Sequence, residues 1–271
     1  MTTNLTKKLE RIGLQDNQNT NRSVRWARAE WLDYRRERGF KSATDLLTPP
    51  GAQPKTGKNK IPTYALHLAP ADRSGVEVCG WSTAGCRAAC LNTAGRGRFD
   101  GVQRGRVTRT TFLNHRPSAF LAILEREIRN AVKRHGNILV RLNATSDLRW
   151  ERFAPWLFEI EGAEFYDYTK APGKARTETD GYALCYSANE RNSDADLVDR
   201  LEEFGHVAIC VDTPAPTGGG TKLPLPRVYL NARAWDGDET DDWRGRPGFT
   251  LLRAKGDAKG DTSGFVRPTH A

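Results

Sequence analysis

Along most of the chain, short apolar runs alternate with longer segments of helical spacing, the pattern of strands separated by helices. Residues 63–68 (TYALHL), 138–142 (ILVRL), 164–168 (EFYDY), 182–186 (YALCY) and 207–211 (VAICV) predict strands, and 228–230 and 249–252 complete the set. Residues 118–135 predict the clearest helix. Phe120, Leu121, Leu124, Ile128 and Val132 form its apolar stripe, Ser118 is placed to cap its start, and Gly136 stands where it should stop. Residues 152–160 and 195–204 predict two more helices, the second closed by Gly205. Near the start, residues 23–40 read as an amphipathic helix, with Trp26, Ala27, Leu32 and Tyr34 set among Arg25, Arg28, Arg35, Arg36 and Arg38.

Short strands separated by helices imply parallel βα units, because a parallel connection needs a crossover. The predicted strands end in polar residues: Asn143, Ser146 and Asp147; Asp167, Thr169 and Lys170; Ser187 and Asn189; Asp212. In βα folds the carboxyl ends of the strands share one face, and that face carries the site. The expected fold is therefore α/β: a partial (βα) barrel of about six mostly parallel strands with an N-terminal helical extension. Residues 1–60 would supply a polar arm, the amphipathic helix and a linker rich in Pro, Gly and Lys (48–60). Residues 61–271 would form the barrel-like catalytic domain.

Composition narrows the class. Of 271 residues 38% are hydrophobic, too many for a disordered chain. No run approaches the roughly 20 apolar residues of a membrane span. The polar start lacks the apolar core of a secretory signal, so a cytoplasmic protein with no membrane partner is expected. A net charge of +9 favours polyanions, making nucleic acid or nucleotide the natural partner class.

Three of the five cysteines fall within twelve residues, as Cys79-x6-Cys86-x3-Cys90. Thiolates are the preferred ligands of zinc and of iron–sulfur clusters. A helical turn would set Cys86 and Cys90 on one face, and the six-residue loop lets Cys79 reach the same point. Three thiols lack the fourth ligand of a closed zinc site, which favours a cluster with one open iron, although His67, Cys185 or Cys210 could supply a fourth ligand. Cys185 and Cys210 lie inside apolar strands and read as core residues.

A strand, a cysteine-triad loop and βα repeats together resemble the radical S-adenosylmethionine superfamily, whose fold is a partial βα barrel. More narrowly, the chain is similar to bacteriophage gene-product families that share a cysteine loop ending C-x3-C and a later strand ending N-x-x-S-D. Here these stand as Cys79 to Cys90 and as Asn143-Ala-Thr-Ser146-Asp147. Residues 165–170 (FYDYTK) and 237–241 share the likeness, which covers roughly residues 60–266. The resemblance implies a [4Fe-4S] cluster on Cys79, Cys86 and Cys90 whose free iron binds S-adenosylmethionine. The spacing here departs from the superfamily's common C-x3-C-x2-C. For a phage-encoded chain, the expected location is the host cell cytoplasm.

Other residues suggest roles around that centre. Asn143, Ser146, Ser187 and Asn189 are candidates to bind the cofactor. Asp147, Asp167 and Lys170 are candidates for acid–base or nucleophilic work. Arg96, Arg98, Arg104, Arg106 and Arg109 follow the cysteine loop in a glycine-rich segment suited to phosphate. An enzyme acting on a nucleic acid, a nucleobase or a related precursor is the first reading. A zinc-dependent base-exchange barrel using Asp147 or Asp167 is the second, and a non-catalytic, metal-stapled nucleic-acid-binding protein the third. The acidic run 235–242 lacks the ligand spacing of a calcium loop and reads as a surface turn.

Overall fold

The computed structural model describes residues 3–12, 21–40, 45–52, 56–177, 179–213 and 223–269. Its strands are β1 (Thr3–Asn4), β2 (Leu47–Thr48), β3 (Thr63–Leu66), β4 (Val76–Glu77), β5 (Ile138–Arg141), β6 (Ala163–Thr169), β7 (Tyr182–Ser187), β8 (His206–Val211), β9 (Val228–Tyr229), β10 (Ala232–Asp236) and β11 (Gly248–Arg253). The helices are α1 (Leu5–Ile12), α2 (Asn21–Glu37), α3 (Ala71–Ser74), α4 (Ala84–Ala88), α5 (Asp100–His115), α6 (Pro117–His135), α7 (Trp150–Phe153) and α8 (Asp194–Phe204). None of them is long and apolar enough to cross a membrane.

Among the described residues, nine strands form one open sheet in the order β2-β3-β5-β6-β7-β8-β11-β10-β9. Every neighbouring pair is parallel except β2 with β3 and β9 with β10. From β3 to β8 each new strand is added on the same side of the last. Right-handed crossovers that never reverse direction deliver their helices to a single face.

The two faces of the sheet follow from strand alternation. On one face, Trp31 of α2, Phe112 of α5 and Phe120, Leu124 and Ile128 of α6 pack with Leu66, Val140 and Phe165. Further along that face, Leu197, Leu201 and Phe204 of α8 pack with Val207, Ile209 and Leu251. Residues of the other parity, Leu139, Tyr166, Cys185 and Ala208, line the second face and are covered by Trp243. Asp241, close to Trp243 in the chain, accepts from Arg141 Nη1 at 2.7 Å and from Tyr166 Oη at 3.0 Å. The acidic run is therefore a cover sewn to the sheet rather than a free surface turn.

The strands predicted from the apolar runs are present, but the sheet has nine rather than about six, and it is not closed. Strands β2 and β9 are two residues long, too short to carry a period-2 pattern, and β10 is masked by Arg233 and the acidic residues after it. Helix α6 starts one residue before Ser118. Pro117 occupies its first turn, where a missing N–H costs nothing, and Ser118 makes no cap. The helix expected over 152–160 is instead the short α7 and a 3-10 turn, Pro155–Glu159, because Pro155 cannot continue an α-helix. In α2, Trp26 and Leu32 face solvent, while Ala27, Trp31 and Tyr34 are buried. The polar arm contains α1, whose Leu5 and Leu9 are fully buried in the core; residues 13–20 lie outside the described residues.

Candidate functional site

The cysteine loop lies across the carboxyl ends of β5, β6 and β7, and hydrogen bonds fix it there. Asp147 N, beyond β5, donates to Val78 O at 2.8 Å. Cys79 N donates to Glu77 Oε1 at 2.8 Å, and Ser82 N and Oγ close a turn on Cys79 O. Helix α4 opens on Thr83, whose Oγ1 accepts from Cys86 N at 3.3 Å. Glu190, in the loop after β7, takes Thr83 Oγ1 at 2.6 Å on one carboxylate oxygen and Gly85 N at 2.9 Å on the other. Glycine at position 85 leaves room for this contact, since a methyl group there would meet Ser263 Oγ and the Glu190 carboxyl group and push them aside. Arg87 completes the frame with an ion pair to Glu77 at 2.7 Å.

Cys79, Cys86 and Cys90 are all partly buried. Burial pushes the Cys79 thiol well above its ordinary range, and Asp147, Cys90 and Cys86 push it further. Cys86 is raised by burial and eased down by Lys170. Cys90 is raised by burial, eased by the backbone N–H of Asn92, and raised again by Cys86. Asp147 thus acts on Cys79 and Cys86, and Lys170 on Cys86, while Cys90 answers to Cys86, Asp72 and Arg106. Among the described residues, no three His, Cys, Asp or Glu side chains are gathered into a ligating group. The donor chemistry suits a thiolate-bound metal. Binding one would require the sulfurs to draw together and lose their protons.

The polar strand ends converge on the same region, but most are committed to structure. Asp147 accepts from Lys170 N at 2.8 Å and pairs with Arg176 at 3.3 Å; Arg176 also meets Glu151 at 2.9 Å. Burial raises Asp147, against the pull of Arg176 and Lys170. Asp167 is fully buried and accepts from Leu142 N, Asn143 N and Tyr182 Oη at 3.0–3.1 Å. Burial pushes it up to about 7 despite those donors and Arg141. Neither carboxylate is an open nucleophile. Lys170 Nζ donates to Ser187 Oγ at 2.9 Å and to Ala188 O at 2.8 Å, and stands 5.0 Å from the ring centre of Phe265.

Asn143 Oδ1 accepts from Ser146 Oγ, Leu148 N and Trp150 Nε1, so Asn143 and Ser146 build the turn after β5. Asn189 is buried and shapes its own turn through Arg191 N and Asn192. These bonds give Asn143, Ser146 and Asn189 structural partners within their own turns. The arginines divide: Arg96, Arg98 and Arg104 are exposed, whereas Arg106 and Arg109 are buried. Arg106 Nη1 donates to Asn92 Oδ1 at 2.6 Å and Arg109 Nη2 to Asp45 O at 3.2 Å, so both are structural rather than phosphate-facing. Glu190, Arg176 and Glu151 were not singled out from the sequence. Glu190 acts on a residue 105 positions away, and no local pattern signals that.

No curated protein and no solved structure matches this chain. A family match does exist, and it spans residues 38–269, which take in the whole nine-stranded sheet, the cysteine loop and Glu190. The chain belongs to the family of phage proteins described as Gene product 88.

Proposed function

We propose that this chain is a radical S-adenosylmethionine-type enzyme of phage origin that holds an iron–sulfur centre on Cys79, Cys86 and Cys90. It would act in the host cytoplasm on a nucleic acid, a nucleobase or a related precursor. One observation carries the reading: the loop bearing the three thiols is tied to the carboxyl-end side of the parallel strands, through Asp147 N on Val78 O beyond β5 and through Glu190 on Thr83 and Gly85 beyond β7. The one-directional strand order from β3 to β8 supports reading the sheet as an opened βα barrel, a fold that carries its chemistry at this end.

When bound, such a centre supplies the radical chemistry that protein side chains lack. The residues of the chain have simpler tasks. Glu190 and Glu77 hold the loop that carries the thiols. Lys170 places a positive charge near Cys86 and favours its thiolate. Asp147, clamped by Arg176, keeps the Lys170 backbone in place. The second reading, base exchange by Asp147 or Asp167, is disfavoured because both carboxylates are buried and fully engaged.

Oxygen-free purification tests the proposal. It predicts a brown protein with about four irons per chain. A colourless protein carrying one zinc would overturn it.

A further inference from the structure

Immediately after Cys90 the chain forms two 3-10 turns, Leu91–Thr93 and Gly95–Arg98, and enters α5. This short stretch exposes an unusual set of side chains. Leu91 is 56% exposed, Phe99 58% and Val102 37%, and Arg96, Arg98 and Arg104 stand among them in solvent. Some exposed arginines have acidic partners, among them Arg87 with Glu77, Arg116 with Glu30 and Arg129 with Glu125. Among the described residues, Arg96, Arg98 and Arg104 have no carboxylate within ion-pair distance. Trp81, on the cysteine loop itself, is a further exposed ring at 43%.

The ridge is rigid. Gln103 Nε2 donates to Asn92 O at 2.9 Å and to Gly97 O, while Asn92 Nδ2 returns a bond to Gln103 Oε1 at 2.9 Å. Buried Arg106 holds Asn92 from below. A methyl group at Gly97 would lie 2.8 Å from Asn92 O, so only glycine lets the turn close on its support. Two buried polar side chains, Asn92 and Arg106, together with half-buried Gln103, thus fix the turns that lead from Cys90 to exposed Phe99.

We propose that this ridge binds single-stranded nucleic acid, with a base stacked on Phe99 and neighbouring phosphates held by Arg96, Arg98 and Arg104. Aromatic rings offer a face to any base, and arginine forks match phosphate oxygens, a combination that single-strand binders use. A duplex hides its base faces, so the exposed ring favours a strand over a duplex. The net charge of +9 adds a long-range attraction for the same ligand. The inference deepens the proposed function by naming a strand as the substrate class, yet binding itself needs no metal.

Fluorescence anisotropy with labelled oligo(dT), oligo(U) and a duplex of equal length, on the full chain as isolated, tests it. Wild-type protein should bind a strand more tightly than the duplex. Phe99→Ala should weaken strand binding about ten-fold or more, and Phe99→Trp should retain it. Arg96→Ala with Arg98→Ala should lower the slope of log affinity against log salt by about 1.4, roughly 0.7 for each phosphate no longer neutralised. A preference for oligo(U) over oligo(dT) would mark RNA as the source; equal binding would mark a sugar-blind site. Equal affinity for strand and duplex, or Phe99→Ala binding like wild type, would overturn the proposal. Iron content measured on the same Phe99→Ala sample separates this failure from failure of the metal centre, which the substitution leaves untouched.

Discussion

Replacing Glu190 by Ala should loosen the cysteine loop without unfolding the protein. The carboxylate accepts two hydrogen bonds from the opening of α4, Thr83 Oγ1 at 2.6 Å and Gly85 N at 2.9 Å. Thr83 in turn caps the helix through Cys86 N, so the effect reaches the backbone of a candidate ligand. Water can reach this half-buried carboxylate, which argues for about 1 kcal/mol per bond rather than the higher value of buried charged pairs. The sum, about 2 kcal/mol, raises the open fraction of the loop roughly 30-fold. The assay is the rate at which iodoacetamide modifies Cys86, followed by mass spectrometry under native conditions. Alanine should accelerate it by about that factor. Glu190→Gln keeps an acceptor for Gly85 N and should accelerate it on the order of five-fold. Cys185, fully buried in β7, is the internal control and should remain unmodified. Unchanged labelling of Cys86, or equal acceleration at Cys185, would refute the latch.

Arg176→Met should lower stability by about 3–5 kcal/mol, because it strands the buried carboxylates of Asp147 and Glu151. Urea unfolding measures this, and a loss below about 1 kcal/mol would contradict the buried clamp. Asp167 gives a pH signature. Burial lifts it to about 7, so the folded protein holds this proton more tightly than the unfolded chain does. Its contribution is complete below the ordinary aspartate range and is lost as pH rises towards 7, at up to about 1.4 kcal/mol per pH unit. Unfolding free energies of wild type and Asp167→Asn across pH 4–7 should show that extra decline in wild type alone. A wild type that gains stability relative to the variant over the same window would contradict it.

How much was legible in the sequence depended on how local the cause was. Helix α6 showed itself through a stripe of five residues and a glycine stop, all within one segment. Helix α8 also showed its glycine stop, though Ser193, the cap that pairs with Asp196, lies two residues before the predicted start. Helix α1 escaped notice because two leucines in eight residues make too little period to stand out in a polar arm. The choice of Trp31 over Trp26 as the buried ring of α2 was set by Phe112, which lies 4.9 Å away between ring centres and far along the chain. At the site, the polar strand ends gather because parallel strands all finish on one side, and the loop that carries the cysteines is tied to that side through Asp147 and Glu190. The division of labour among them was not legible. Asn143 and Ser146 could equally have been ligands or turn-builders until Trp150 and Leu148 supplied their partners. The run of arginines likewise concealed two that are buried, since composition does not distinguish Arg106 from Arg98.

The proposed centre requires Cys79, Cys86 and Cys90 to act as one ligand set. Single substitutions of Cys79, Cys86 and Cys90 by Ser, each prepared without oxygen and assayed for bound iron and its visible charge-transfer band, measure that directly. All three should lose the band and most of the iron, while Cys185→Ser, buried in the sheet, keeps both. Iron content that survives any one of the three substitutions at the wild-type level would show that the thiol so replaced is no ligand, and the proposed centre would fall.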